Sequence, residues 1–298
     1  MPQLEGVRHR LLDIGGLELH VAEAGSGPPV LALHGWPQNW YCWRGVIAPL
    51  AARHRVICPD LRGFGWSQAP AGDYSKRALA DDVLALLDAL GLERVDLIAH
   101  DWGAWIGFQL CLEHPERFAH YLALNMVTPW PDRPSLRGLL GVWRLAYQVL
   151  LSTPPVARRL LGRGDFVKRI LRTGAVHRDA WSEADLELYA ALLRQPERIE
   201  ASINLYRAFL TRELVPYLSG RYGTRRLQVP TLLLHGTRDP AVDHRRLGRW
   251  QENSDDMAVE YRDDSGHFIV EELPEIVAER ASALFGGLSP QAVAAGNT

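Results

Sequence analysis

Short apolar runs alternate with amphipathic segments along most of the chain. The runs have the length of strands and are rich in Val, Ile, Leu and Ala, whereas Lys76 to Leu90 and Trp105 to Glu113 have the pattern of helices. Because the two patterns alternate, they predict an α/β fold with a mostly parallel sheet covered by helices on both faces. The predicted strands are Arg10 to Ile14, Leu17 to Ala22, Pro29 to Leu33, Arg55 to Cys58, Val95 to Ala99, Tyr121 to Asn125, Thr231 to Leu234 and Ala258 to Arg262.

The alternation stops between about Thr128 and Tyr222. This stretch opens with a proline cluster, has no convincing strand and is rich in Arg, Leu and Ala at helical spacing. The strand pattern resumes after Pro230, which favours a helical cap inserted into an α/β core. We therefore predict a core of residues 1–128 and 226–298, a cap of residues 129–225, and a frayed tail at 289–298.

Composition limits the partners of this protein. The 298 residues are 47% hydrophobic and 23% charged with a net charge of −2, so no strong field favours nucleic acid or an anionic membrane. The cysteines, at positions 42, 58 and 111, contain no C-x-x-C pair, so neither disulfides nor a metal site are expected, and nothing suggests a cofactor. No segment resembles a signal peptide or a membrane span, and a cytoplasmic monomer or homodimer acting on small molecules is expected.

Asp101 is the first candidate for catalysis. The apolar run that begins at Val95 ends at His100 and Asp101, and small residues stand two positions before and after the acid, Ala99 and Gly103. This spacing is typical of a sharp strand-to-helix turn that presents a nucleophile, with alanine in the first small position. A carboxylate nucleophile forms an alkyl ester, which indicates epoxides or alkyl halides as substrates. The alternative is that Asp101 only caps the following helix.

An alkyl ester needs an activated water and donors for an oxyanion. His267 and Asp239 are the candidate base and the acid that orients it, and the order Asp101, Asp239, His267 fits a nucleophile, acid and base order. The backbone N–H groups of Trp102, directly after the nucleophile, and Trp36, after a strand-like run, are the candidate oxyanion donors. All these residues follow predicted strands, whose carboxyl ends meet at one edge of a parallel sheet.

Four motifs resemble those of the epoxide hydrolases of the alpha/beta-hydrolase superfamily. They are His34-Gly35-Trp36-Pro37, Ala99-His100-Asp101-Trp102-Gly103, Gly236-Thr237-Arg238-Asp239 and Gly266-His267-Phe268, in matching order over nearly the whole chain. The resemblance implies an eight-stranded sheet with a helical lid and a cofactor-free conversion of small apolar epoxides and water to vicinal diols. Ala99 departs from the glycine that is usual in this family. We expect Trp36, Pro37, Trp102 and Phe268 to line the substrate pocket.

An opening epoxide must gain a proton, whereas a halide leaves as an anion. The resemblance implies two proton-donating cap tyrosines. Tyr206 fits the second of them and Tyr147 the first, for which Tyr189 is the competitor. Haloalkane dehalogenases, which share the Asp nucleophile, usually have asparagine where this chain has Trp36, and fluoroacetate dehalogenases usually have arginine where it has Trp102. The alternatives to epoxide hydrolysis are therefore haloalkane dehalogenation and a non-catalytic homologue that binds small molecules.

Overall fold

The computed structural model describes residues 1–132 and 146–296, and a sheet of eight strands forms its centre. The spatial order is β1-β2-β4-β3-β5-β6-β7-β8, with β2 antiparallel to both neighbours and the other pairs parallel. The loops after β3, β5, β7 and β8 therefore meet at one edge. The strands are β1 (Val7–Asp13), β2 (Glu18–Ala24), β3 (Pro29–Leu33), β4 (Arg55–Pro59), β5 (Val95–His100), β6 (Phe118–Leu124), β7 (Thr231–Gly236) and β8 (Met257–Arg262).

Helices cover both faces of the sheet, and apolar side chains fill the two layers between them. Helices α2 and α3 pack on one face, while α1 and α12 pack on the other. The helices of the described chain are α1 (Arg44–Ala51), α2 (Lys76–Ala89), α3 (Trp102–Glu113), α4 (Ala146–Ser152), α5 (Pro154–Arg163), α6 (Asp165–Gly174), α7 (Glu183–Leu193), α8 (Pro196–Ala208), α9 (Leu214–Leu218), α10 (Trp250–Asn253), α11 (Ile269–Glu272), α12 (Pro274–Phe285) and α13 (Pro290–Ala294).

Helices α4 to α9 lie between β6 and β7, and we call residues 146–218 the helical segment. Its last two helices are joined by a π-helical turn, Phe209–Glu213, which widens the helix locally. The helical character agrees with the pattern of the sequence, while the division into separate core and cap domains stays a prediction. Within the described ranges, no helix is long and apolar enough to cross a membrane.

The predicted alternation of strands and helices is confirmed, with differences at the ends of the elements. Helix α3 begins at Trp102 rather than Trp105, because the chain passes from the turn at Asp101 directly into helix. The prediction of a frayed tail is wrong for Pro290–Ala294, which form α13. The Ser289 hydroxyl accepts a hydrogen bond from the Ala292 N–H at 3.3 Å, and Val293 is fully buried, so capping and burial stabilise this short helix.

The turn between β5 and α3 depends on close packing. Asp101 has φ 50° and ψ −124°, a strained conformation for a residue with a side chain. Its N–H donates to the Leu124 carbonyl of β6 at 3.2 Å, which holds the strained residue against the sheet. A Cβ on Gly103 would lie 2.5 Å from the Leu33 and His34 carbonyl oxygens, so only glycine lets α3 approach β3 this closely.

Gly103→Ala is expected to lower the free energy of unfolding by about 1–3 kcal/mol, the usual range for overpacking. The methyl group would meet backbone atoms, which cannot rotate away as a side chain can. Urea denaturation followed by circular dichroism measures the change. Gly162→Ala in α5 is the control, because a Cβ at this position would meet nothing within 4 Å. The free energy of unfolding of this variant should be unchanged or higher. Equal stability of the two variants would contradict this account of the turn.

Candidate active site

Asp101 lies at the carboxyl edge of the sheet and is buried. Its Oδ2 accepts a hydrogen bond from the Trp36 backbone N–H at 2.9 Å, and a Cβ on Gly35 would come within 2.5 Å of the same oxygen. Although Asp101 stands at the N-cap position of α3, it makes no side-chain capping hydrogen bond. The carboxylate is therefore held by the loop after β3, and helix capping does not explain its position.

His267 and Asp239 form a hydrogen-bonded pair beside this carboxylate. His267 Nδ1 lies 2.7 Å from Asp239 Oδ2, and His267 Nε2 lies 3.6 Å from Asp101 Oδ1. The backbone N–H groups of Ala241 and Val242 donate to Asp239 Oδ1 at 2.7 and 2.9 Å. The loops after β5, β7 and β8 thus bring the three candidate residues together, with the imidazole between two carboxylates.

Asn125, which the sequence analysis did not single out as a site residue, also holds this pair. Its side-chain NH₂ donates to Asp239 Oδ2 at 2.9 Å and to the Gly266 carbonyl at 3.0 Å. With φ 47°, Asn125 turns the chain directly after β6. A polar residue that follows an apolar strand at this edge was the signal that could have identified it.

The three ionisable groups favour an imidazolium between carboxylates. Burial opposes charge on His267, but Asp239 and Asp101 together raise its pKa to about 10. Burial likewise opposes charge on Asp101, yet the nearby charge of His267 and the dipole of the Trp102 N–H hold the pKa of its carboxyl below the usual value. The pKa of Asp239 is lowered in the same way. Both carboxylates therefore favour the charged state of His267, and loss of the Asp101 charge would lower the His267 pKa.

Two contacts fix the backbone of His267. Its N–H donates to the Gly174 carbonyl at the end of α6 at 2.7 Å, and its carbonyl accepts from His100 Nε2 at 2.7 Å. Burial lowers the pKa of His100 to about 4, so this ring is neutral and its Nε2 carries the proton donated to His267. One of the catalytic candidates is thereby attached both to the core and to the helical segment.

Tyr147 and Tyr206 pack edge to face, with ring centroids 5.8 Å apart, and Tyr147 lines the same cavity as Asp101. Tyr206 also packs edge-on against Trp36 and Trp102, at 5.4 and 5.9 Å between centroids. Burial raises the pKa of both hydroxyls, and the Asp101 carboxylate raises them further, so both stay protonated at neutral pH. The competing Tyr189 donates instead to Glu271 Oε1 at 3.0 Å. The structure therefore places Tyr147, and not Tyr189, near Asp101.

A cavity of about 220 Å³ opens onto Asp101. Trp36 and Phe268 line it as expected, but Pro37 and Trp102 are not among the lining residues that the described chain provides. A turn closed by the Gln38 N–H and the Gly35 carbonyl takes Pro37 away from the cavity, and the Trp102 ring is covered by Tyr206 and Phe209. The lining residues are Trp36, Asp101, Tyr147, Ile170, Thr173, Gly174, Pro240, Ala241, His267 and Phe268.

A match to known proteins accompanies this geometry. The family model described as alpha/beta hydrolase fold matches residues 28–274. The chain belongs to the alpha/beta-hydrolase family. This hydrolase is 30% identical to the soluble epoxide hydrolase of Corynebacterium sp. (strain C12), over 95% of this chain and 98% of that protein. The resemblance drawn from the four motifs is confirmed.

Further relatives include both a haloalkane dehalogenase and another epoxide hydrolase. The hydrolase is 30% identical to haloalkane dehalogenase 2 of Mycobacterium tuberculosis, over 96% of this chain and 97% of that one. The crystal structure of epoxide hydrolase VrEH1 from Vigna radiata matches with a TM-score of 0.80 and 28% identity, over 96% of this chain and 100% of that one. The predicted fold is thus confirmed, and the relatives leave the choice of substrate to the chemistry of the site.

Asp101→Asn should lower the pKa of His267, because the Asp101 carboxylate is one of the two charges that raise it. The amide is nearly the same size, and its oxygen can still accept the Trp36 N–H. A pH titration of the His267 ring nitrogens by NMR measures the shift. Asp96→Asn is the control, since Asp96 lies on β5, the strand that ends directly before Asp101, but pairs with His120. A His267 pKa unchanged in Asp101→Asn would contradict the proposed charge arrangement.

Proposed function

We propose that this hydrolase opens small uncharged epoxides to vicinal diols through an ester on Asp101. The observation that carries the proposal is the pair of protonated tyrosines, Tyr147 and Tyr206, packed together beside a buried carboxylate. An epoxide oxygen requires a proton donor as its ring opens, and a tyrosine whose pKa is raised can supply one at neutral pH. A halide has no such requirement.

In the first step, Asp101 attacks an epoxide carbon and the C–O bond to that carbon breaks. The electron pair goes to the epoxide oxygen, which takes a proton from Tyr206 or Tyr147, leaving a hydroxyalkyl ester and a tyrosinate. The Trp36 N–H holds Oδ2, so Oδ1 is the free oxygen for attack. Formation of the ester removes the negative charge of Asp101.

Loss of that charge prepares His267 for the second step. Without the Asp101 carboxylate the pKa of His267 falls, and its proton passes through water to the tyrosinate, which restores the tyrosine. Neutral His267 then removes a proton from the water that attacks the ester carbon, and the N–H groups of Trp36 and Trp102 stabilise the oxyanion. Collapse releases the diol, to which His267 returns the proton, and the carboxyl proton of Asp101 then moves to His267.

The cavity favours an uncharged substrate. Among the described residues, its lining includes neither lysine nor arginine, and the His267 imidazolium is already paired with Asp239 and Asp101, so no unpaired cation is offered to a carboxylate substrate such as a haloacid. Ile170, Phe268 and Ala241 contribute apolar surface that suits the hydrocarbon part of an epoxide. The dehalogenase alternative would use the same Asp101 and His267. It differs from epoxide opening because it does not require a proton from Tyr147 or Tyr206.

A single turnover in ¹⁸O-water should place the label in Asp101, because the water oxygen enters the carboxyl group of the nucleophile. Peptide mass spectrometry locates the label. His267→Gln should accumulate the ester, since it can be alkylated but cannot activate water, and Asp101→Ala is the control that cannot be alkylated. Label confined to the diol after one turnover would exclude the covalent route.

Tyr206→Phe should slow epoxide opening within the range of about 10²- to 10⁴-fold attributed to a general acid, toward its lower end because Tyr147 remains. Stopped-flow measurement of ester formation gives the rate. Tyr189→Phe is the matched control, because its hydroxyl bonds to Glu271 and should not affect this step. Wild-type release of bromide from an alkyl bromide, without turnover of aryl or aliphatic epoxides, would favour the dehalogenase instead.

A further inference from the structure

Lys76, the first residue of α2, has a fully buried side chain that the proposed reaction does not use. Its Nζ donates to the Leu205 carbonyl at 2.9 Å and lies 3.0 Å from Glu213 Oε2. Its backbone N–H donates to Glu213 Oε1 at 2.7 Å. One core residue thus holds both oxygens of a carboxylate and a backbone carbonyl of the helical segment.

The same ammonium group lies against the residue after the proposed nucleophile. Lys76 Nζ is 4.2 Å from the ring centroid of Trp102 and 5.2 Å from that of Phe209. The rings of Trp102 and Phe209 are themselves 4.9 Å apart. A buried cation over an aromatic face is attracted to it, so Lys76 links the turn at Asp101 with the helical segment.

The partners of Lys76 come from one stretch of that segment. Leu205 directly precedes Tyr206, and the π-helical turn that follows α8 begins at Phe209 and ends at Glu213. A buried ammonium loses its hydration, and only partners with good geometry offset that loss, so this arrangement disfavours movement of α8 relative to α2. An apolar residue of similar size would fill the space without fixing a carbonyl.

We propose that Lys76 is a positioning residue for epoxide opening: by holding the Leu205 carbonyl and the Trp102 ring, it fixes the Tyr206 hydroxyl relative to the Asp101 carboxylate. This inference rests on the proposed function. Lys76 touches neither the cavity nor the reacting atoms and acts through Tyr206 and Trp102.

The charge of Lys76 gives this positioning a pH dependence. Burial lowers the pKa of Lys76 to about 8, with Glu213 and Asp101 opposing the shift and Arg212 adding to it. As the pH rises through this pKa the ammonium is lost, and the rate of ester formation should fall. The pKa of Tyr206 is far higher, so its own ionisation does not produce this fall.

A double-mutant cycle on the rate of ester formation tests the positioning. Lys76→Met is combined with Glu213→Gln, so that no buried carboxylate is left unpaired and the fold is preserved. This pair of changes should slow ester formation by about 10- to 100-fold, because small misplacement of a catalytic group costs this much. In a Tyr206→Phe background the same pair of changes should slow ester formation by less than about threefold, because there is then no Tyr206 hydroxyl to position.

Arg280→Met with Glu260→Gln is the matched control. Arg280 Nε donates to Glu260 Oε2 at 2.7 Å, and both side chains are about as buried as those of Lys76 and Glu213, but they join α12 to β8. This control should leave the rate of ester formation unchanged. Thermal unfolding of each variant shows whether the mutant proteins remain folded.

A pH series adds a measurement that a merely structural role would not change. Glu213→Gln alone should move the alkaline fall in rate to lower pH, since it removes a charge that raises the Lys76 pKa. Lys76→Arg with a folded structure should abolish this fall, because guanidinium does not titrate in this range.

The outcomes separate this inference from the proposed function. Wild-type protein that forms no ester with any epoxide overturns the proposed function. The positioning role alone is overturned if the wild type forms the ester but the Lys76 and Tyr206 changes reduce the rate of ester formation by independent factors, so that the combined reduction is their product. An alkaline fall unaffected by Glu213→Gln and by Lys76→Arg likewise overturns it.

Discussion

The conformation of Asp101 is the constraint on which the rest of the site depends. A residue with φ 50° between a strand and a helix projects its side chain from the sheet edge, and it stays there because β6 holds its backbone and Gly103 allows α3 to approach β3. Because this carboxylate has a fixed position, the loops that carry the hydrogen-bond donors and His267 must reach the same edge of the sheet. The loops after β3, β7 and β8 do so because parallel strands end at the same edge.

The helical segment is attached to the core through residues at or beside the catalytic candidates. The His267 N–H bonds to the Gly174 carbonyl, and the Trp36 indole N–H donates to the Ser202 hydroxyl at 3.1 Å. Glu272 extends the attachment, since it accepts hydrogen bonds from the Val176 N–H at 2.7 Å and from the N–H of Gly266, directly before His267, at 3.0 Å. These anchoring residues are either candidate catalytic residues or lie close to them along the chain. A shift of the helical segment would therefore move groups that take part in the proposed reaction.

The sheet was predictable because parallel strands buried on both faces are short, nearly continuous apolar runs. Asp101, Asp239 and His267 were identifiable because each follows such a run in a short motif, and the structure brings them together. Asn125 and Lys76 were not identified, since their partners lie 114 and 129 positions away along the chain. The apolar run before Asn125 was a usable signal, but a lone lysine at the start of a helix has the same local pattern whether it is solvated or buried, and only the packing of distant elements distinguishes the two.

The electrostatics of the site suit a single histidine that serves both steps of the proposed reaction. An imidazolium between two carboxylates is a poor base, and a neutral imidazole beside a free Asp101 would leave that carboxylate without a counter-charge in a buried site. In the proposed reaction, esterification would remove this conflict, because one of the two carboxylates that keep His267 protonated is the group that reacts. Asp239 remains charged throughout and holds the ring in position, supported by Asn125 and two backbone donors. In the proposed reaction, His267 would therefore lose its proton more readily once the ester has formed.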